Sequence, residues 1–179
     1  ELLAAGVSRS WSARRLAARQ LLEPASGVFT PVGVAQSLAL RMQVALRYAG
    51  PDAAVTGRAA VHLWGLCDPP RESESLHVVV PHGRHDRPAV PGMVTVHQRI
   101  SRETYRRLGV PVVPVIQALA AMIPLATDDD IRMAALEAVR VGLLATTDLR
   151  SSGRPTTLFT HLAEEAEAGA WSGGEGKYW

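Results

Sequence analysis

The chain has 179 residues, enough for one medium domain or two small domains with a buried core. Hydrophobic residues make up 47% of it and charged residues 20%, which excludes a disordered or fibrous protein. The net charge of +2 excludes a polycation, but residues 1–47 hold six arginines against two acidic residues. We therefore expect any polyanionic partner to bind the N-terminal part.

Cysteine usage and hydropathy predict a cytoplasmic protein that does not bind a membrane. Cys67 is the one cysteine in the sequence, so no internal disulfide can form, which is typical of a reducing compartment. The most apolar stretch, residues 110–126, contains three prolines. Because proline interrupts a helix, this stretch predicts a strand, a turn and a helix instead of a membrane span.

The first predicted element is a helix from Ser8 to about Arg19, with Ser8 as its N-cap. Its apolar residues Ala13, Leu16 and Ala17 share one face. The basic and hydroxyl side chains lie mostly off that face: Ser8, Arg9, Ser10, Ser12, Arg14, Arg15 and Arg19. Such groups neutralise phosphates and reach base edges in a major groove, so this is a candidate DNA-binding helix. The alternative is a solvated helix with no ligand.

Two short β-rich runs follow, LLEP and GVFTPV, and their junction around residues 25–27 is typical of a hairpin. A basic helix followed by a hairpin predicts the second half of a winged helix-turn-helix, which we assign to residues 1–34. Because the chain opens in mid-helix, we expect the first helix of that motif to be missing.

The remaining elements predict an α+β protein. A small α/β domain is expected over residues 35–150, and a C-terminal helix and tail, the possible start of a further domain, over 151–179. The β-rich runs 76–81 and 93–100 are expected to pair antiparallel. The other predicted elements are a strand at 109–113 and helices at 35–49, 56–64, 115–125, 128–141, from 146, and 157–169.

The order of several motifs resembles the AbiEi-like antitoxins, the transcriptional regulators of type IV toxin–antitoxin systems. The resemblance covers about residues 1–150. The matching segments are the helix Gly6–Arg19, the wing ending in Gly27-Val28-Phe29, GPDA (50–53), VTGRAAVHLWGL (55–66), VVVPHGR (78–84), VTVHQR (94–99), LGVPVV (108–113) and ALEAVRVGLLATTDL (135–149).

This resemblance implies a winged helix followed by a small α/β antitoxin domain with an antiparallel hairpin and several helices. It implies a non-enzymatic repressor of its own operon that binds double-stranded DNA as a homodimer or multimer. It also implies a nucleotidyltransferase-like toxin as a second partner. By position, the residues that would face DNA are Ser8, Arg9, Ser10, Ser12, Arg14 and Arg15, with Ser26 in the wing.

One segment departs from the family pattern. After the Gly-Val-Pro-Val step the family typically has Thr-Ser-Pro-x-Arg-Thr and then an Asp. The positions of that polar set are held here by Val113, Pro114, Val115, Gln117, Ala118 and Ala121. The second domain therefore lacks the polar side chains that its relatives carry.

Two other functions stay open. Many relatives continue into a domain similar to the very-short-patch-repair endonucleases, and Gly174-Glu175-Gly176-Lys177 resembles its opening. The chain would then be the targeting portion of a longer nuclease-like, DNA-processing protein. In the third interpretation the chain is an antitoxin that binds only protein.

No residue pattern predicts a catalytic centre, a cofactor or a metal ion. His82 and His85 invite a zinc hypothesis with Cys67, but structural zinc sites use four paired ligands, usually with two thiolates. The acidic run Asp128–Asp130 is typical of a helix start and less so of a Mg²⁺ site.

Overall fold

A computed structural model of the chain describes residues 8–81, 87–99, 103–151 and 157–168. Within these residues the protein is mixed α and β, as the sequence predicts. The helices are α1 (Arg9–Ala17), α2 (Leu38–Ala49), α3 (Gly57–Leu63), α4 (Val115–Met122), α5 (Asp128–Arg140), α6 (Thr146–Ser151) and α7 (Thr157–Glu167). The strands are β1 (Leu21–Ala25), β2 (Val28–Pro31), β3 (Ala54–Thr56), β4 (Leu76–Pro81), β5 (Val94–Arg99), β6 (Tyr105–Arg107) and β7 (Val110–Val112). None of the described helices has the length and apolarity that crossing a bilayer requires.

The chain divides into two compact units, each made of two separate segments. Unit 1 comprises residues 1–53 and 71–100, and unit 2 comprises residues 54–70 and 101–179. The domain boundaries predicted after residues 34 and 150 stay predictions about how the chain is organised.

Unit 1 contains the predicted antiparallel hairpin, which is confirmed. Strands β1 and β2 pair from Leu21 opposite Pro31 to Ala25 opposite Val28, which leaves Ser26 and Gly27 as a two-residue loop. Gly27 has φ +78°, a conformation that glycine adopts without steric cost. Helix α2 packs against this hairpin and against β4. The buried side chains of unit 1 include Met42, Ala45, Tyr48, Leu76, Val78, Val80 and Val94.

The predicted antiparallel pairing of the second strand pair is wrong. Strands β4 and β5 pair in parallel, from Leu76 opposite Val94 to Pro81 opposite Arg99. The reason lies in the connection, because the chain turns at residues 91–93 immediately before β5, and Val90 bridges Val94 antiparallel. Twelve residues separate the two strands, which is long enough for a crossover between parallel neighbours.

Unit 2 has a small mixed sheet and five helices within its described residues. Strand β7, predicted from the sequence, pairs in parallel with β3 and antiparallel with β6, two strands that the sequence did not predict. Helices α3, α4, α5 and α7 pack in succession, α3 on α4, α4 on α5 and α5 on α7. The largest side chains of this core are Leu119, Met122, Ile131, Leu149, Phe159 and Leu162, each less than 3% exposed.

Candidate nucleic-acid interface

Helix α1 is held by its own end caps and not by a buried face. At its N-terminus the Ser8 hydroxyl accepts the backbone N–H of Trp11 at 3.2 Å, which confirms Ser8 as the N-cap. None of the residues of α1 is buried, and Ala13 and Ala17 are exposed although the sequence pattern places them on the inward face with Leu16. Only Trp11, Ser12 and Leu16 are half-buried.

The C-terminus of α1 is closed by a Schellman motif with an unusual residue in it. The N–H of Gln20 bonds to the carbonyl of Arg15 and the N–H of Arg19 to that of Leu16, both at 2.9 Å. Arg19 occupies the position in this motif that glycine usually holds, with φ +54°. Its conformation is unfavourable for a residue with a Cβ, and its guanidinium is exposed at the junction between α1 and β1.

Ser10 and Arg14 form the outward face of α1, since positions four apart in a helix lie one above the other. Both are exposed, and the Arg14 Nε donates to the Ser10 carbonyl at 3.3 Å. This bond orients the guanidinium along the helix and does not involve its two terminal nitrogens. Arg9, the first residue of α1, is also exposed.

Arg15 lies on the side of α1 that carries Trp11. Its guanidinium carbon is 5.2 Å from the centre of the Trp11 ring, and its Nη1 donates to the side-chain oxygen of Gln20. Stacking on the indole and bonding to the residue before β1 fix this cation at the base of the hairpin. Trp11 thus orients a candidate contact residue.

The three predicted serine contacts in and before α1 already form local hydrogen bonds. The Ser12 hydroxyl is half-buried and donates to the Arg9 carbonyl at 2.9 Å. The Ser8 hydroxyl, besides capping the helix, lies 2.9 Å from the Ser10 hydroxyl. Ser10 shares this bond and lies with Arg14 on the exposed side of α1.

The hairpin tip brings one further cation into unit 1. Ser26 is exposed in the two-residue loop, and Arg87 donates to its carbonyl at 3.5 Å. The Arg87 guanidinium is also held 5.1 Å from the centre of the Tyr48 ring, and the Tyr48 hydroxyl donates to the Pro88 carbonyl at 2.8 Å. Sequence reasoning did not single out Arg87, because the 61 residues that separate it from Ser26 leave no local pattern.

Among the described residues, the acidic one nearest in sequence to the arginines of α1 is Glu23, and it forms a local hydrogen bond in the hairpin. Glu23 accepts the backbone N–H of Gly27 through Oε1 at 2.7 Å, so it stabilises the hairpin loop. Helix α1 itself contains no acidic residue. The described surface of residues 8–31 is therefore rich in guanidinium groups with one carboxylate, which bonds to the loop backbone.

Two histidines of unit 1 form a separate pair on β4 and β5. His77 Nδ1 lies 2.9 Å from His97 Nε2, while the ring centres are 5.2 Å apart, so the imidazoles meet through their nitrogens. Burial, and then the neighbouring His97, lower the pKa of His77. His82 and His85 lie outside the described residues, and among the described residues no three potential metal ligands come together.

Comparison with known proteins adds no family assignment. No family model matches the chain, and no curated protein shows significant similarity to it. The resemblance to the AbiEi-like antitoxins therefore stays a prediction. Gly174 to Lys177, which carry the nuclease alternative, lie outside the described residues.

Proposed function

We propose that the protein is a DNA-binding transcriptional regulator in which α1 is the recognition helix and the β1–β2 hairpin is the wing. The observation that carries this proposal is the exposure of Arg9, Arg14, Arg15 and Arg19 on and directly after a helix that buries none of its residues. Helices in globular proteins gain most of their stability by burying an apolar face. A short helix that instead exposes guanidinium groups is suited to a polyanion.

The dimensions of α1 suit a major groove. An α-helix with its side chains is about 10–12 Å across, which fits the roughly 12 Å width of the groove in B-DNA, and the nine residues of α1 would run about 13 Å within it. The outward pair Ser10 and Arg14 would approach the base edges, where arginine reads guanine through two hydrogen bonds. Arg15 and Arg19, at the junction with the hairpin, would contact phosphates.

The wing would lie along the flanking backbone. Ser26 at its tip offers a hydroxyl to a phosphate, and Arg87 beside it offers a charge that the chain supplies from a distant segment. With the arginines of α1, this surface would neutralise about four to six phosphates in each copy of the chain. Binding should then be strongly dependent on salt concentration.

A regulator with one recognition helix would use two copies to read a symmetric operator. A homodimer places two equivalent helices one turn of DNA apart, which is the usual arrangement for helix-turn-helix proteins. The family resemblance supports repression of the protein's own operon and a toxin partner, and both belong to this proposal.

The proposal is tested with the double variant Arg14→Ala/Arg15→Ala and the duplex upstream of the protein's own gene. We expect affinity to fall by about 10- to 100-fold, because Arg14 would read a base, which is worth about 1–3 kcal/mol, and Arg15 would contribute a phosphate contact. The matched control is Arg140→Ala/Arg150→Ala, which removes the same charge from exposed positions of unit 2.

The control variant should bind DNA within about twofold of the parent protein. Circular dichroism should show that both variants keep the parent's helix content. The proposal fails if the Arg14/Arg15 variant binds as tightly as the parent, or if the control loses as much affinity.

A further inference from the structure

Unit 2 contains a cavity of about 500 Å³ between β6, the start of α4 and the segment that leads from α5 into α6. Small-molecule sites in proteins commonly have volumes of about 300–1,000 Å³, so this cavity has room for a drug-sized ligand. Its wall combines aromatic rings, guanidinium groups and aliphatic side chains from separate elements. Such a mixed wall offers both stacking and charge to a ligand.

The aromatic part of the wall consists of Trp64 and Tyr105, both of which form hydrogen bonds. The Trp64 Nε1 donates to the Val113 carbonyl at 3.0 Å, which fixes the indole at the end of α3. The Tyr105 ring meets it edge-on, with centres 5.5 Å apart and planes at 68°. Tyr105 is 45% exposed, and its hydroxyl donates to Glu103 at 2.5 Å. That bond raises the pKa of Tyr105, so the phenol stays neutral.

Two cations lie in the same wall. The Arg107 guanidinium stacks 4.8 Å from the centre of the Trp64 ring, and its Nε donates to the Leu63 carbonyl at 3.4 Å. Arg106 donates through Nη1 to the Gly109 carbonyl at 3.1 Å. Neither arginine forms an ion pair with a carboxylate among the described residues.

The single carboxylate of the wall is engaged elsewhere. Asp148 accepts the backbone N–H of Ala145 through Oδ2 at 2.7 Å, which stabilises the start of α6. Among the residues that line the cavity, two arginines outnumber one aspartate, and this balance favours an anion. Ile116 and Leu143 complete the wall with aliphatic surface, against which a planar ring can lie.

We propose that this cavity binds a small planar aromatic anion, with its ring against Tyr105 and the aliphatic wall and its carboxylate or phosphate group at Arg106 and Arg107. The ring cannot occupy the face of Trp64 on which Arg107 stacks, so Trp64 serves to orient the guanidinium. The inference goes beyond the proposed regulatory function and does not depend on it, because binding is measured without DNA.

The test uses three probes that share one ring system: 2-naphthoate, 2-naphthyl phosphate and the neutral 2-naphthamide. They are titrated into the full chain, and binding is followed by calorimetry and by the indole N–H signals of its four tryptophans in a nitrogen–proton NMR spectrum. Trp64→Phe assigns the Trp64 signal. We expect at least one anion to bind with Kd below about 1 mM and at least tenfold more tightly than the amide.

Arg107→Gln and Arg106→Gln should each weaken binding of the anion by about tenfold, because each removes a charge-assisted bond. Arg107→Lys, which keeps the charge, should bind better than Arg107→Gln. The matched control is Arg71→Gln, an exposed arginine of unit 1, which should leave Kd unchanged. The spectrum without probe shows whether each variant is folded.

Preference for one anion supports the proposal and identifies the headgroup as carboxylate or phosphate. The proposal is overturned if neither anion binds at about 5 mM, or if the amide binds as tightly as the anions. It is equally overturned if both glutamine variants bind like the parent, or if the probes shift other indole signals and leave that of Trp64 in place.

Discussion

Helices α1 and α5 differ in how far the stability of the fold explains their sequences. Helix α5 buries five of its residues, begins with three aspartates and ends with Arg140, so its charges complement the helix dipole and its apolar face lies in the core. Helix α1 buries none, has no acidic residue in its first turn, and exposes arginines along its length. The residues of α5 serve the stability of unit 2, whereas the exposed arginines of α1 are what the proposed DNA-binding function would account for.

The largest expected difference between these helices is in stability. Ile131 of α5 is fully buried, so Ile131→Ala should lower the free energy of unfolding by about 2–4 kcal/mol through lost contacts and a cavity. Leu16 of α1 is half-buried, and Leu16→Ala should lower it by less than about 1 kcal/mol. Urea denaturation followed by circular dichroism measures both. Equal losses would show that α1 is part of a core, contrary to the comparison.

A smaller difference is expected at the N-caps. Thr127 caps α5 by accepting the N–H of Asp130 at 3.2 Å, and Thr127→Ala should cost about 1 kcal/mol. Ser8→Ala removes the same kind of bond from α1 but should change global stability by less than about 0.3 kcal/mol, because a helix without buried residues opens locally. Thermal unfolding of the two variants gives the comparison. A loss at Ser8 as large as that at Thr127 would contradict it.

Substitution of Arg19 should affect the stability of the protein and its DNA binding in opposite directions. Because Arg19 has φ +54°, Arg19→Gly relieves an unfavourable conformation and should raise stability by up to about 0.5 kcal/mol. The same change removes a candidate phosphate contact, so the slope of log Kobs against log[salt] should become shallower by about 1. Arg19→Ala, which keeps the strain, should lose binding without gaining stability. If Arg19→Gly binds DNA as tightly as the parent and with the same salt dependence, Arg19 is not part of the interface.

The smallest expected effect concerns His77, whose folded-state pKa is lowered from 6.5 by burial and by His97. Below pH 6.5 the unfolded chain takes up a proton that folded His77 resists, so stability is lost as the pH falls through this window. Between about pH 7.5 and 5.5 the Tm of the parent should therefore fall more than that of His77→Gln. Parallel decreases in the two proteins would show that His77 does not titrate differently on folding.

Sequence reasoning succeeded where the signal is local. The predicted bounds of α5 differ from the structure by one residue, because Thr127 and the three aspartates mark its start and Gly142 lies just beyond its end. The hairpin of β1 and β2 was predicted for a similar reason, since two turn residues separate two β-rich runs. Such signals depend on neighbouring residues and not on the rest of the fold.

The errors come from contacts between distant segments. Pairing of β4 with β5 was predicted, but its direction depends on how the 12 intervening residues turn, which no local pattern states. Strands β3 and β6 have three residues each, too few for a recognisable alternation. Their identity as strands comes from pairing with β7.

In the candidate interface, too, the sequence identified the residues that are close together along the chain and missed those from distant segments. The arginines of α1 are adjacent in sequence and were found from it, whereas Arg87 reaches Ser26 across 61 residues and was not. Arg107 over Trp64 is a similar case, because a stacked pair 43 residues apart has no sequence pattern. The structure therefore identifies the arginines that come from distant segments, whereas the sequence alone identifies the helix that carries the neighbouring arginines.

The most direct test of the central claim is a salt titration of binding to the duplex upstream of the protein's own gene, beside a scrambled duplex of equal length. If α1 and the hairpin form a DNA-reading surface, the upstream duplex binds more tightly, and log Kobs falls against log[salt] with a slope of about −4 to −5 for each copy bound. Equal affinity for the two duplexes, or no binding at about 0.1 M salt, would contradict the account.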